Sequence, residues 1–119
     1  MAGIRRLNAM IDPVQAQLDA YNARDVEGFI ACYAAECIFE DGAGHHLMAG
    51  HHEMRTRYTA LFAASPKLHC ELVRRTLIGP YVIDEERITG RVPEMNRAVV
   101  IYRLENSLIH HVRFLRDDN

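Results

Sequence analysis

The sequence predicts an α+β domain. Apolar residues recur at helical spacing through the first half, alternation of period two governs the second, and glycine, proline and asparagine clusters punctuate the elements. Apolar residues make up 49% and charged residues 25% of the 119 positions, the balance of one globular domain over residues 1–119.

Asp12-Pro13 predicts the first helix start, an aspartate N-cap followed by proline at the first helical position. Val14, Leu18 and Tyr21 then recur on one side, with Ala20 beside them. Asn22-Ala23-Arg24 breaks the pattern, and Asp25 caps a second, shorter helix carrying Phe29, Ile30 and Tyr33. Cys37 to Asp41 predicts the first strand, and a loop from Gly42 to Gly50 follows. Met54, Tyr58, Leu61 and Phe62 sit at i, i+4, i+7 and i+8 of a third helix, which Ser65-Pro66 ends.

Strands from Leu68 to Ile78 and from Tyr81 to Thr89 flank a Gly79-Pro80 turn. That two-residue loop sets Arg75 opposite Asp84 and Arg74 opposite Glu85, pairing opposite charges. After a Pro93-containing loop, a strand from Arg97 to Leu104 reaches a Glu105-Asn106 turn. The register puts Val100 opposite His111, Ala98 opposite Arg113 and Tyr102 opposite Ile109. Both faces of this hairpin then carry large apolar side chains, so the sheet is covered twice. Three helices cover one side. The other, with Val99, Ile101, Val112 and Phe114, predicts a homodimer through the outer sheet face.

A formal charge of −2 without a Lys/Arg-rich block excludes nucleic acid as an expected partner. No apolar run approaches the ~20 residues of a membrane span, and Met1 to Asn8 carries two arginines without the apolar stretch of a signal peptide. Three irregularly spaced cysteines predict buried reduced thiols and a cytoplasmic location. Six of the seven histidines form adjacent pairs (His45-His46, His51-His52, His110-His111). None makes an i, i+4 pair within the third helix, so no metal or other cofactor is expected. Ser65 and Ser107 read as turn residues rather than nucleophiles.

Asp41 is the first candidate for chemistry. It shares a strand face with Cys37 and Phe39, and a half-buried carboxylate beside a loop suits a general base. The same position also suits an aspartate that starts a turn.

The residues Tyr21-Asn22-Ala23-Arg24-Asp25, Gly28, Cys32-Tyr33-Ala34, Phe39-Glu40-Asp41, Ala49-Gly50 and Tyr58 carry a family resemblance, as do Ile88-Thr89-Gly90 and Phe114-Leu115-Arg116-Asp117. With the element order, they make the chain from about Pro13 resemble the nuclear transport factor 2-like superfamily, in its SnoaL-like and ketosteroid-isomerase-like branch. The resemblance implies a cone-shaped α+β barrel, three N-terminal helices packed on a strongly curved, mainly antiparallel sheet. It implies Asp41 as general base and Tyr58 in a pocket. The positions of the ketosteroid isomerase oxyanion hole fall on Gln17 and Val100. An amide can donate a hydrogen bond and a valine cannot, and losing one such donor typically costs ~2.7–4 kcal/mol of transition-state stabilisation. His111 and Arg113, on the Val100 face in the expected register, are the substitute donors. The expected catalytic residues are therefore Asp41 and His111, with Gln17, Tyr58, Val100 and Arg113 binding substrate. The expected function is a small-molecule pocket protein, an isomerase or lyase that moves a proton next to the carbonyl of a small apolar substrate. The alternative is a non-catalytic ligand-binding or dimeric association module of the same fold.

Overall fold

The computed structural model describes residues 2–116, with side chains from Asn8 onward; Asp117 of the terminal motif and the side chains of Arg5 and Arg6 lie outside the described residues. The helices are α1 (Ala2–Ala23), α2 (Val26–Ile30) and α3 (Gly50–Ala64). The strands are β1 (Tyr33–Asp41), β2 (His46–Ala49), β3 (His69–Ile78), β4 (Tyr81–Thr89), β5 (Arg97–Glu105) and β6 (Leu108–Arg116). They form one six-stranded sheet in the order β2-β1-β6-β5-β4-β3. All neighbours are antiparallel except β1 and β6. The three helices pack on one face of this curved sheet, the cone-like arrangement of an α+β domain. No described helix is long and apolar enough to cross a membrane.

Local rules explain most boundaries. The Asp25 carboxylate accepts from Gly28 N at 3.0 Å and caps α2. Ala49 offers α3 no side-chain cap. Glu53 instead reaches back to accept from Ala49 N at 2.7 Å. Val14, Leu18, Phe29, Ile30, Met54 and Phe62 bury the helical faces against Cys37, Phe39, Val82, Val100 and Val112 of the sheet. The three cysteines are buried and free, as their spacing implies.

Four expectations are corrected. The first helix does not begin at Asp12-Pro13; it begins at Ala2 and carries Pro13 in its interior. Proline's fixed φ is helix-compatible, and its cost is the missing N–H to the carbonyl one turn back. The first strand begins four residues earlier than Cys37, and the loop from Gly42 to Gly50 contains β2, too short to show alternation. The turn between β5 and β6 is Asn106-Ser107, both at positive φ (51° and 63°), so Glu105 pairs with Leu108.

The fourth correction decides the chemistry. Between Arg103 and Leu104 the pairing slips, because β6 carries an extra residue, His110, between Ile109 and His111. The turn shift alone preserves which face each side chain takes. The bulge does not, since one added residue exchanges the faces of everything beyond it. Ala98, Val100 and Tyr102 therefore stand opposite Arg116, Phe114 and Val112. Val112 is fully buried under the helices, and Phe114 packs against the core. His111 and Arg113 take the outer face, so the apolar outer surface is Val99 and Ile101 with Ile83, Ile38 and Leu115, without Val112 or Phe114.

Candidate ligand cavity

Between the helices and the inner face of the sheet lies a cavity of about 170 Å³. Its wall is aromatic. Phe29 and Tyr58 ring centroids stand 4.4 Å apart, and Tyr21 meets Tyr58 edge-on at 6.4 Å. An apolar cavity of about 150 Å³ accepts a benzene molecule, so this one suits a ligand of one ring.

β4 supplies the polar group. Its side chains alternate strictly, with Val82, Asp84, Glu86 and Ile88 buried and Ile83, Glu85 and Arg87 turned outward. Two carboxylates thus point under the helices. Asp84, fully buried, is held by Arg75 across the hairpin, with Nε donating at 2.8 Å and Nη2 at 2.9 Å. Arg75 Nη1 also donates to Gln15 Oε1 at 2.9 Å. The expected Arg75–Asp84 pairing is thus present, as is Arg74 opposite Glu85, although the Glu85 carboxylate accepts from Arg97 at 3.2 Å.

Glu86 has no such cation. It is 7% exposed and lines the cavity, with the Cys70 thiol as its hydrogen-bond donor. Burial, and then the neighbouring charge of Asp84, push its carboxyl up to about 7; the Cys70 bond and the Arg75 charge pull it back only partly. Burial holds the Cys70 thiol far above its ordinary range, which removes it as a nucleophile.

Donors surround this carboxyl. Tyr33 Oη donates to Gln17 Oε1 at 3.1 Å, while Gln17 Nε2 donates to Val14 O at 2.9 Å and to Tyr102 Oη at 3.1 Å. Gln17 lines the cavity as expected, yet both of its amide protons are already engaged. Tyr102, as acceptor, keeps its own O–H to donate. Tyr21 and Tyr58 also line the cavity, and neither hydroxyl is hydrogen-bonded among the described residues. Burial raises the pKa of all four tyrosines, so they remain protonated donors.

The other expected site residues stand elsewhere. Asp41 closes the β1–β2 turn. Its Oδ1 accepts from Ala43 N and His45 N, both at 2.9 Å, and its Oδ2 lies 3.1 Å from His45 Nδ1. The His45 and Ala43 bonds hold this carboxyl below its usual range, the opposite of what a base at neutral pH needs. Asp41 borders a shallow depression beside Leu115 and Arg97 and does not line the cavity. His111 is hydrogen-bonded to Glu40 on the outer face, and Arg113 lies 3.8 Å from the same carboxylate. Val100 is buried beneath the cavity wall without lining it. Of six expected residues, the fold brings Gln17 and Tyr58 together and separates Asp41, His111, Val100 and Arg113 from them.

Glu86 is the residue that sequence reasoning passed over, because Asp84-Glu85-Glu86 reads as a charged run. Its signal was phase: Glu86 alternates in step with Val82 and Ile88. Among the described residues, no three histidines, cysteines or carboxylates group closely enough to hold a metal ion.

Comparison with known proteins agrees with this architecture. Solved structures of the same fold include an uncharacterised cystatin-fold protein from Novosphingobium aromaticivorans, 24% identical over 90% of this chain and 97% of that one, with a TM-score of 0.82. A protein from Kribbella flavida provisionally named a ketosteroid isomerase is 15% identical over 94% and 80%, with a TM-score of 0.74. One from Sinorhizobium meliloti provisionally named a polyketide cyclase is 20% identical over 87% and 93%, with a TM-score of 0.72. At these identities the likeness establishes the fold. No curated protein shows a significant match to the chain. The SnoaL-like domain family matches residues 14–118, nearly the whole sequence. With the helix-on-sheet architecture in agreement and the family matched over nearly its whole length, the chain belongs to the SnoaL-like family of the nuclear transport factor 2-like fold.

Proposed function

We propose that the protein binds a one-ring-sized carbonyl compound in this cavity and moves a proton at the carbon next to the carbonyl, with Glu86 in place of Asp41 as the general base. The observation that carries the reading is a buried glutamate, raised to about 7, in an aromatic cavity beside tyrosine hydroxyls. In its carboxylate form Glu86 takes the proton, and the electron pair of the broken C–H bond passes to the carbonyl oxygen. Tyr58 or Tyr21 donates a hydrogen bond to that developing enolate. Glu86 then returns the proton to the same or a conjugated carbon, so no co-reactant is needed. Such a catalyst works best with a pKa near the working pH, which burial supplies here.

The test uses 3-cyclohexen-1-one, whose conversion to the conjugated isomer is read by ultraviolet absorbance. Turnover is expected to fall by about 10²–10⁴ in Glu86→Gln, the usual worth of a positioned acid or base. Equal turnover in Glu86→Gln and the parent sinks this mechanism. Saturable binding without turnover in either protein would support the same cavity as a non-catalytic binding module.

We also propose that a second copy covers the outer sheet face. Ile83 opposite Ile101 and Val99 opposite Leu115 form a contiguous apolar strip there. Ile101→Glu is expected to halve the mass seen by light scattering; a parent that already has the mass of one chain removes the proposal.

A further inference from the structure

Six arginines elsewhere on the molecule have carboxylate partners: Arg55 with Glu27, Arg75 with Asp84, Arg87 with Glu71, Arg97 with Glu85, Arg103 with Glu105, Arg113 with Glu40. Arg57 and Arg91 line the cavity and have no carboxylate within 4 Å among the described residues. Arg24 and Arg74 share that lack, but Arg24 donates to the carbonyls of Asn22, Ser65 and Leu68 and does not line the cavity, and Arg74 is exposed on the outer face. Arg116, whose guanidinium lies 5.8 Å over the Phe114 ring, lines the same cavity from the end of β6. The chain is net negative, yet this opening gathers cations from α3, the β4–β5 loop and β6, with Glu86 as the sole acidic lining residue among the described residues.

Arg91 is also held in place. Gly90, at φ +73°, lies so close to Lys67 O that a Cβ would stand 2.1 Å from it. On the other side Val92 N donates to the fully buried Ser65 Oγ at 2.9 Å. Ile88 N donates to Asn96 O at 2.9 Å and closes the loop. Arg91 Nη1 donates to Pro93 O at 2.7 Å, which fixes the guanidinium and leaves its other edge available. Arg57 is tethered similarly, through Nη2 to Leu47 O at 2.8 Å. Two tethered cations without carboxylate partners among the described residues, facing an aromatic cavity, are arranged for an anion that arrives with an apolar body.

We propose that the natural ligand is a small organic anion, its ring against Phe29, Tyr58 and Phe114 and its anionic oxygens held at the mouth by Arg91 and Arg57. The inference rests on the cavity being the ligand site, and it names the class of compound that enters. A carboxylate offers two oxygens to guanidinium donors, and a phosphate ester presents the same chemistry.

The experiment is an NMR titration of the protein with methyl-labelled methionine, because Met48 and Met95 line the cavity and report its occupancy. The probes are 3-phenylpropionate, 2-phenylethyl phosphate and the neutral 3-phenylpropanamide. At least one anion is expected to bind at least about tenfold more tightly than the amide, the scale of one hydrogen bond to a charged group. The tighter of the two identifies the head. Arg91→Gln is expected to remove most of that preference, Arg91→Lys to retain part of it, and Arg57→Gln to reduce it less. Equal affinity for amide and anions overturns the proposal while leaving the cavity reading intact. Anion binding that leaves the Met48 and Met95 signals unmoved overturns both. An anion preference that persists in a Glu86→Gln protein with unchanged turnover supports this inference and removes only the proton-transfer mechanism.

Discussion

Two carboxylates in this molecule, Glu86 on β4 and Asp41 at the end of β1, begin from similar chemistry and end at opposite extremes. Asp41 sits on a turn where two backbone N–H groups and an imidazole favour its charged form. Glu86 sits under the helices, where burial and a second acid favour its neutral form. The first is an anion committed to structure. The second can hold or release a proton near neutral pH. Position at a strand end, the feature that drew attention to Asp41, says little about which of these a carboxylate becomes. The balance between burial and the hydrogen bonds the carboxylate accepts decides the matter.

The widest separation between the two should appear in turnover. Glu86→Gln is expected to lose about 10²–10⁴ of the rate, whereas Asp41→Asn should stay within about twofold of the parent; the reverse order in a steady-state assay would return the base to the β1 turn. Next comes the question of why only one inward acid of β4 has a cation bonded to it. Arg75→Met strips the cation from fully buried Asp84 and is expected to destabilise the fold by about 3–5 kcal/mol in urea unfolding. A loss below about 1 kcal/mol, the scale of a surface pair, would mean that the pair does not act as a buried one.

A smaller effect distinguishes the two acids by pH. The Glu86 pKa is raised on folding, so its stabilising share is complete below about 4.5 and is lost as pH rises through about 7. At about 1.4 kcal/mol per pKa unit, that slope amounts to roughly 3 kcal/mol. Beyond burial, the groups that set it are Asp84 on β4 and Cys70 and Arg75 on β3; Tyr21 on α1, Tyr33 on β1, Tyr58 on α3 and Tyr102 on β5 face it as neutral hydroxyls whose own pKa its charge raises. Glu86→Gln should remove the slope, gaining on the parent between pH 5 and pH 8.5; parallel stability curves would contradict the raised pKa. Asp41 has the opposite sign, its contribution present above its ordinary carboxylate range and lost as pH falls through the lowered folded value. Asp41→Ala should give the smallest change of the set, a modest fall in melting temperature at pH 7 that fades toward pH 3.

Much of this architecture was legible from residues alone. Helical spacing located Val14, Leu18, Met54, Tyr58 and Phe62 on buried faces, and the Gly79-Pro80 turn fixed the β3–β4 register from Ile78–Tyr81 to Arg74–Glu85, beyond which a bulge at Val73 shifts it by one. Tyr58 and Gln17 were placed at the cavity through resemblance. The failures have physical causes. Pro13 can sit inside a helix because it forfeits a single hydrogen bond, so it is a weak stop signal. Alternation along β6 reports faces only while the count stays in phase, and a bulge leaves no mark in composition. His111 and Arg113 were therefore assigned to the wrong side with sound local logic. Glu86 was overlooked because neighbouring charges concealed a perfect alternation.

That uncounted residue in β6 has an evolutionary meaning. A strand distributes its side chains between two environments by parity, so His110 works like a shift in reading frame for everything after it. Flattening the bulge, so that His110 itself pairs with Arg103, would offer His111, Arg113 and Leu115 to the ligand and hand Val112, Phe114 and Arg116 to the outer surface, with no substitution at any of those positions. A one-residue slip in pairing thus separates this lining from a quite different one, and a fold that keeps a constant frame has in such a bulge a shorter route to a new lining than point mutation.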